Sequence, residues 1–184
     1  MQSIPSSYQK IAKYPVNFIK TIYFLFKRNK KINVKLDIDV HVVSPGGSAT
    51  TMLIQHISKF KKTNSPHDRD GLKHLVKPCV DCGAIHLFLY DQTNRISNSI
   101  ERRGWLKVQT HKLGYISPPG SVLRTLFFKM AVDRQIKNWM KRNDVLHIHY
   151  DEIWEKADVI KKHLDLPEEF LLSFPEKKER SAKS

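Results

Sequence analysis

The chain has 184 residues, 40% of them hydrophobic, and carries a formal charge of +14 from 32 Lys plus Arg against 18 Asp plus Glu. That length suits one compact domain with short extensions, and the apolar fraction is too high for wholesale disorder. The charge favours anionic partners such as phosphorylated cofactors, acidic glycans, lipid headgroups or nucleic acid, and two cysteines cannot form a disulfide framework.

Residues 1–36 read as a basic N-terminal extension. Its apolar patch YPVNFIKTIYFLF, Tyr14–Phe26, is interrupted by Lys20 and falls short of the roughly 20 residues that span a bilayer. No small-residue cleavage site follows it. The patch therefore predicts an amphipathic helix packed on the domain of an intracellular, cytoplasmic chain, with peripheral membrane contact through residues 14–31 as the alternative.

An α/β domain is expected over residues 37–172, followed by a basic tail over 173–184. Four segments read as buried strands: Asp37–Ser44, Gly71–Lys77, Ala84–Tyr90 and Asp144–Tyr150. The runs AIHLFLY and VLHIHY are apolar or β-favouring almost throughout, which suits parallel strands covered on both faces. Helical patterns lie between them. Ser48–Lys61 places Met52, Ile54, Ile57 and Phe60 on one side. Val122–Arg142 is expected to turn Leu123, Leu126, Phe127, Met130 and Trp139 inward. Asp151 is expected to cap Glu152–Leu164, where Ile153, Trp154, Ala157, Ile160 and Leu164 share a face. Alternating strands and helices predict a mainly parallel central sheet with helices on both faces, and ligands in such folds bind beyond the carboxyl ends of the strands.

The segment SPGGSATT, Ser44–Thr51, sits at such an end. Gly46 and Gly47 permit a tight turn and close approach of a ligand to the backbone. The amides of Ser48, Ala49, Thr50 and Thr51 then open a helix and offer N–H groups to one phosphate or sulfate. Thr50 stands where a nucleoside-triphosphate loop has its lysine, so nucleotide hydrolysis is disfavoured.

SPGGSATT resembles the 5′-phosphosulfate loop of the sulfotransferase family, a strand followed by Pro-Lys/Arg-Ser-Gly-Thr-Thr and a helix. Three further segments keep that family's order. GLKHLVKP resembles the Lys-Thr-His-Leu-Pro stretch, with His74 at the position of the catalytic base. LFLYDQTNRISNSI resembles the segment that clamps the cofactor's 3′-phosphate. VLHIHYDEIWEKADVIKKHLDLPEE resembles the closing strand–helix unit. Together they cover most of Val40–Pro167.

The resemblance implies a P-loop NTPase-like sulfotransferase architecture and transfer of a sulfuryl group from 3′-phosphoadenosine 5′-phosphosulfate (PAPS) to a hydroxyl acceptor, a glycan among the options. No metal is implied. The loop's basic residue is replaced by Gly46–Gly47. The arginine and serine that bind the 3′-phosphate align with Tyr90 and Asn98, with Arg95 placed to compensate for the lost charge. These departures keep open a non-catalytic or altered-cofactor anion-binding protein on the same fold, and the charge alone leaves a nucleic-acid-binding protein as a third reading.

Two metal patterns compete with this. His74, Cys79, Cys82 and His86 offer four zinc-ligand types, but His86 falls inside a predicted strand and the set is cramped. His147 and His149 share a strand face, with no acidic third ligand evident in the sequence.

Overall fold

Three short β-favouring runs align in parallel to form the centre of the protein. The computed structural model describes residues 35–79 and 82–177. The expected N-terminal amphipathic helix and the end of the basic tail lie outside those residues. Strands β1 (Val40–Val43), β2 (Ile85–Tyr90) and β3 (Val145–His149) form one sheet in the order β1-β2-β3, with Val42 opposite Leu87 and Phe88 opposite His147. Helices α1 (Thr50–Ile57), α2 (Thr93–Arg102), α3 (Leu106–Lys112), α4 (Ser121–Trp139), α5 (Ala157–Leu164) and α6 (Glu169–Leu172) complete the domain. Among the described residues, no helix is long and apolar enough to cross a membrane.

Side-chain alternation along the strands fills both faces of the sheet. On one face Val40, Val42, Leu87, Leu89 and Ile148 pack with Leu53, Ile54 and Ile57 of α1, Ile160 and Leu164 of α5, and Phe170 of α6. On the other, Val43, Phe88 and Val145 surround Trp139 of α4, whose ring stacks on Phe88 with centroids 5.4 Å apart. A third cluster joins Ile96 and Ile100 of α2 to Leu106 of α3 and Phe128, Ala131 and Val132 of α4. Burying each such large side chain contributes ~1.5–3 kcal/mol.

The expected strand at Gly71–Lys77 does not form. Side chains satisfy several of its polar backbone groups, and Lys73 O accepts from Ser44 N–H at 3.0 Å without extending into a strand ladder. Asp70 Oδ1 accepts from Leu72 N–H and Asp68 Oδ1 from Lys73 N–H. Leu75 O accepts from Gln135 Nε2 and Trp139 Nε1. Leu72 and Leu75 still bury their side chains, so the apolar pattern reported burial correctly and extension wrongly. The outer edge of β1 is closed by Asn64, whose Oδ1 accepts from Val42 N–H at 2.8 Å while its Nδ2 donates to Val42 O at 3.0 Å.

Two helix expectations also change. The buried face of α4 is Phe128, Ala131, Val132, Gln135 and Trp139, whereas Leu123, Leu126 and Met130 are about half exposed. This helix carries two apolar stripes, and the one that holds Phe128 and Trp139, among the largest fully buried side chains, makes the close packing. Asp151 does not cap a long helix: Tyr150–Glu152 form a short 3₁₀ turn, α5 begins at Ala157, and the Asp151 carboxylate pairs with Arg95 at 2.7 Å.

Candidate functional site

The loop Ser44–Ala49 leaves the carboxyl end of β1 and enters α1. Gly46 and Gly47 have φ of +110° and +70°, and Ala49 reaches +54° without being glycine. Ser44 Oγ lies 2.5 Å from Thr50 Oγ1 and accepts from Gly46 N–H, and Ser48 Oγ donates to Gly46 O. Internal side-chain bonds thus hold the loop's shape. The N–H groups of Gly47, Ser48 and Ala49 have no hydrogen-bond partner among the described residues. Left-handed residues in close succession at the foot of a helix give an anion-binding concavity, reinforced by the helix dipole.

The loop forms one wall of a cleft of about 380 Å³ at the strand ends. Lys73, His74, Arg95, Ser99, Arg102 and Arg103 also line the cleft. Four cations therefore converge on a site whose loop has none.

Lys73 is the residue that the sequence reading missed. Its Nζ donates to Thr51 Oγ1 at 2.6 Å and to Pro66 O at 2.8 Å, which puts the ammonium at the first turn of α1. Burial lowers its pKa to about 8, offset in part by Asp68 and reinforced by Lys112 and Arg103. The signal was present as the lysine beside His74, but a strand over Gly71–Lys77 would have turned these neighbours to opposite faces. The turn lets both line the cleft.

His74 is 2% exposed. Its Nδ1 lies 2.7 Å from Ser44 O, and since a carbonyl only accepts, Nδ1 carries the proton and Nε2 keeps the free lone pair. Burial drives its pKa down to about 4, against the opposing effects of Asp68 and the Ser44 bond, so the ring is neutral at physiological pH. Asp68 pairs with Lys112 at 2.9 Å, and Asp70 bonds the amides of Ser65 and Leu72.

Of the sequence-predicted residues, Gly46, Gly47, Ser48, Ala49, Thr50, Thr51, His74 and Arg95 line one cleft. Tyr90 and Asn98 are not among its lining residues. Tyr90 belongs to a neighbouring depression with Asp91, Asp133 and His149, because odd and even positions of β2 face opposite sides of the sheet. Asn98 points to solvent on α2, and Ser99 takes its place facing the loop.

The zinc set is not assembled. His74 is held by Ser44, Cys82 Sγ sits 3.4 Å from His86 Nε2, and His86 Nδ1 lies 3.2 Å from His41 Nδ1. Among the described residues, the group of three potential metal ligands within reach of one another is Asp91, His149 and Asp151, and there the Arg95 guanidinium already lies between the two carboxylates. His147, the other histidine of β3, bonds Trp139 O through Nε2 at 3.0 Å.

No protein-family model matches the chain, and neither the curated proteins nor the solved structures compared with it contain a match.

Proposed function

We propose that this cleft binds the 5′-phosphosulfate end of PAPS and transfers its sulfuryl group to an acceptor hydroxyl, on a P-loop NTPase-like, sulfotransferase-like version of the α/β fold. The observation that carries the reading is the meeting of Lys73 with the first turn of α1: Nζ is 2.6 Å from Thr51 Oγ1, bringing a cation to a loop that has none of its own. Three unpartnered backbone amides and the ammonium suit a tetrahedral oxyanion bearing more than one negative charge.

In this reading the donor supplies an activated sulfur atom. The acceptor oxygen forms the new S–O bond as the bond to the bridging phosphate oxygen breaks, and that oxygen leaves with the electron pair. Lys73 and the loop amides stabilise the charge that grows on the leaving side, usually the largest catalytic contribution. His74 Nε2 takes the acceptor's proton. A pKa of about 4 makes the free imidazole a weak base, and bound anions in the same cleft raise it. Arg95, Arg102 and Arg103 are the remaining cations for the donor's 3′-phosphate, in place of Tyr90 and Asn98.

The test is sulfuryl transfer from labelled donor to a panel of glycan and lipid hydroxyls by the full chain. Transfer that drops ~10²–10⁴-fold in His74→Gln, with donor binding kept, supports the assignment. Absence of both transfer and binding overturns it. Binding without transfer is the second reading, a non-catalytic anion-binding module, and the burial of His74 specifically favours it.

A further inference from the structure

Seven of the ten exposed large apolar side chains among the described residues fall within one stretch of sequence: Trp105, Val108, Ile116, Val122, Leu123, Leu126 and Met130. Each is between 47% and 79% exposed. From Arg102 to Val132 the chain carries six Lys and Arg and no Asp or Glu. The two features coincide on α2's end, α3 and α4, which pack together through Leu106, Phe128 and Val132. Leu123, Leu126 and Met130 recur at helical spacing and form a single stripe along α4, with Arg124 and Lys129 beside it.

We propose that this α3–α4 face is a docking surface for an anionic lipid bilayer. Exposed aliphatic side chains interleaved with basic ones, which outnumber the acidic Glu101 bonded by Thr125 of α4, match the two requirements of interfacial binding: apolar groups that enter the headgroup–acyl boundary, and cations that neutralise lipid charge. A nucleic-acid backbone would use the cations but leave Val122, Leu123 and Leu126 in water. An exposed indole at Trp105, with Arg103 5.5 Å from its ring centroid, is the kind of side chain that settles at a membrane interface. Trp105 also lines the cleft, so a bound membrane would lie at the cleft's rim. The proposal concerns residues separate from the glycine loop, Lys73 and His74, and does not depend on sulfuryl transfer.

The experiment is co-sedimentation of the full chain with vesicles of phosphatidylcholine alone or mixed equally with phosphatidylserine, for the parent and for a Leu123→Asp, Leu126→Asp double variant, together with the melting temperature of each. The expected result is binding to the phosphatidylserine vesicles only, weakened at least about tenfold in the double variant, with an unchanged melting temperature. Equal binding by parent and variant would place membrane contact elsewhere, including residues 14–31, and overturn the proposal. Absence of vesicle binding alongside retained oligonucleotide binding would overturn it in favour of nucleic acid. A melting temperature lowered by several degrees would show that the stripe is covered by protein, and would overturn it too.

Discussion

Lys73 Nζ and Thr51 Oγ1 are joined by a 2.6 Å hydrogen bond across 22 residues of sequence, so the glycine loop acquires its cation from the turn that follows it in the chain. The loop shape and the charge come from different segments. Each is therefore open to separate test.

Anion affinity should fall as pH rises through about 8, because burial has brought the Lys73 ammonium down to that range. The charged form binds, and it is lost above the folded pKa. Titrations with 3′-phosphoadenosine 5′-phosphate at pH 7 and 9 should show this loss in the parent. Lys73→Met should weaken binding at pH 7 by ~10- to 100-fold, the range of one charge-assisted hydrogen bond, and should remove the pH dependence. A pH dependence that persists in Lys73→Met refutes the role.

Backbone strain at the loop predicts opposite outcomes for two small substitutions. Ala49 has φ of +54°, a region that costs a non-glycine residue ~1–2 kcal/mol. Ala49→Gly should relieve that cost, leaving stability unchanged or raised by up to about 1 kcal/mol once glycine's chain entropy is subtracted. Gly46 has φ of +110°, and a Cβ there would meet Ile100 Cδ1 at 3.4 Å. Gly46→Ala should destabilise by more than about 1 kcal/mol. Urea unfolding of the two variants checks the pair.

Asn64 stands in for a fourth strand by satisfying both backbone groups of Val42. Removing its side chain in Asn64→Ala strands a buried donor and acceptor. Denaturant unfolding should show a loss of ~1–3 kcal/mol for each group that water does not reach.

Stability should decline in mild acid. His41 and His74 are buried and neutral, with pKa values lowered by burial to about 3 and about 4 from an ordinary value of 6.5. Since the unfolded chain binds the protons first, their contribution is complete above 6.5 and is lost as pH falls towards the folded values. At roughly 1.4 kcal/mol per pH unit for each ring, unfolding at pH 7 and 5 should differ by on the order of 2–4 kcal/mol. Equal stability at the two pH values would mean the rings are not buried neutral.

The sheet was legible where apolar residues are dense, and β2 and β3 needed nothing beyond their own composition. The glycine loop was legible because a glycine pair and hydroxyl residues at a strand end restrict what the backbone can do. Gly71–Lys77 was misread because Leu72 and Leu75 are buried by a turn whose amides bond the nearby carboxylates of Asp70 and Asp68 and whose Leu75 carbonyl is taken by Gln135 and Trp139, side chains some sixty residues on that no local pattern announces. That single error hid Lys73. The two stripes of α4 posed a different difficulty: periodicity identifies an apolar face, and it does not say which of two faces a neighbour will cover.

The loop's role as an anion cradle is tested most directly by following backbone amide resonances while 3′-phosphoadenosine 5′-phosphate is added to the full chain. The predicted result is saturable shifts largest at Gly47, Ser48, Ala49 and Thr51, reduced in Lys73→Met. Shifts centred on Tyr90 and Asp133, or none at millimolar ligand, would contradict it.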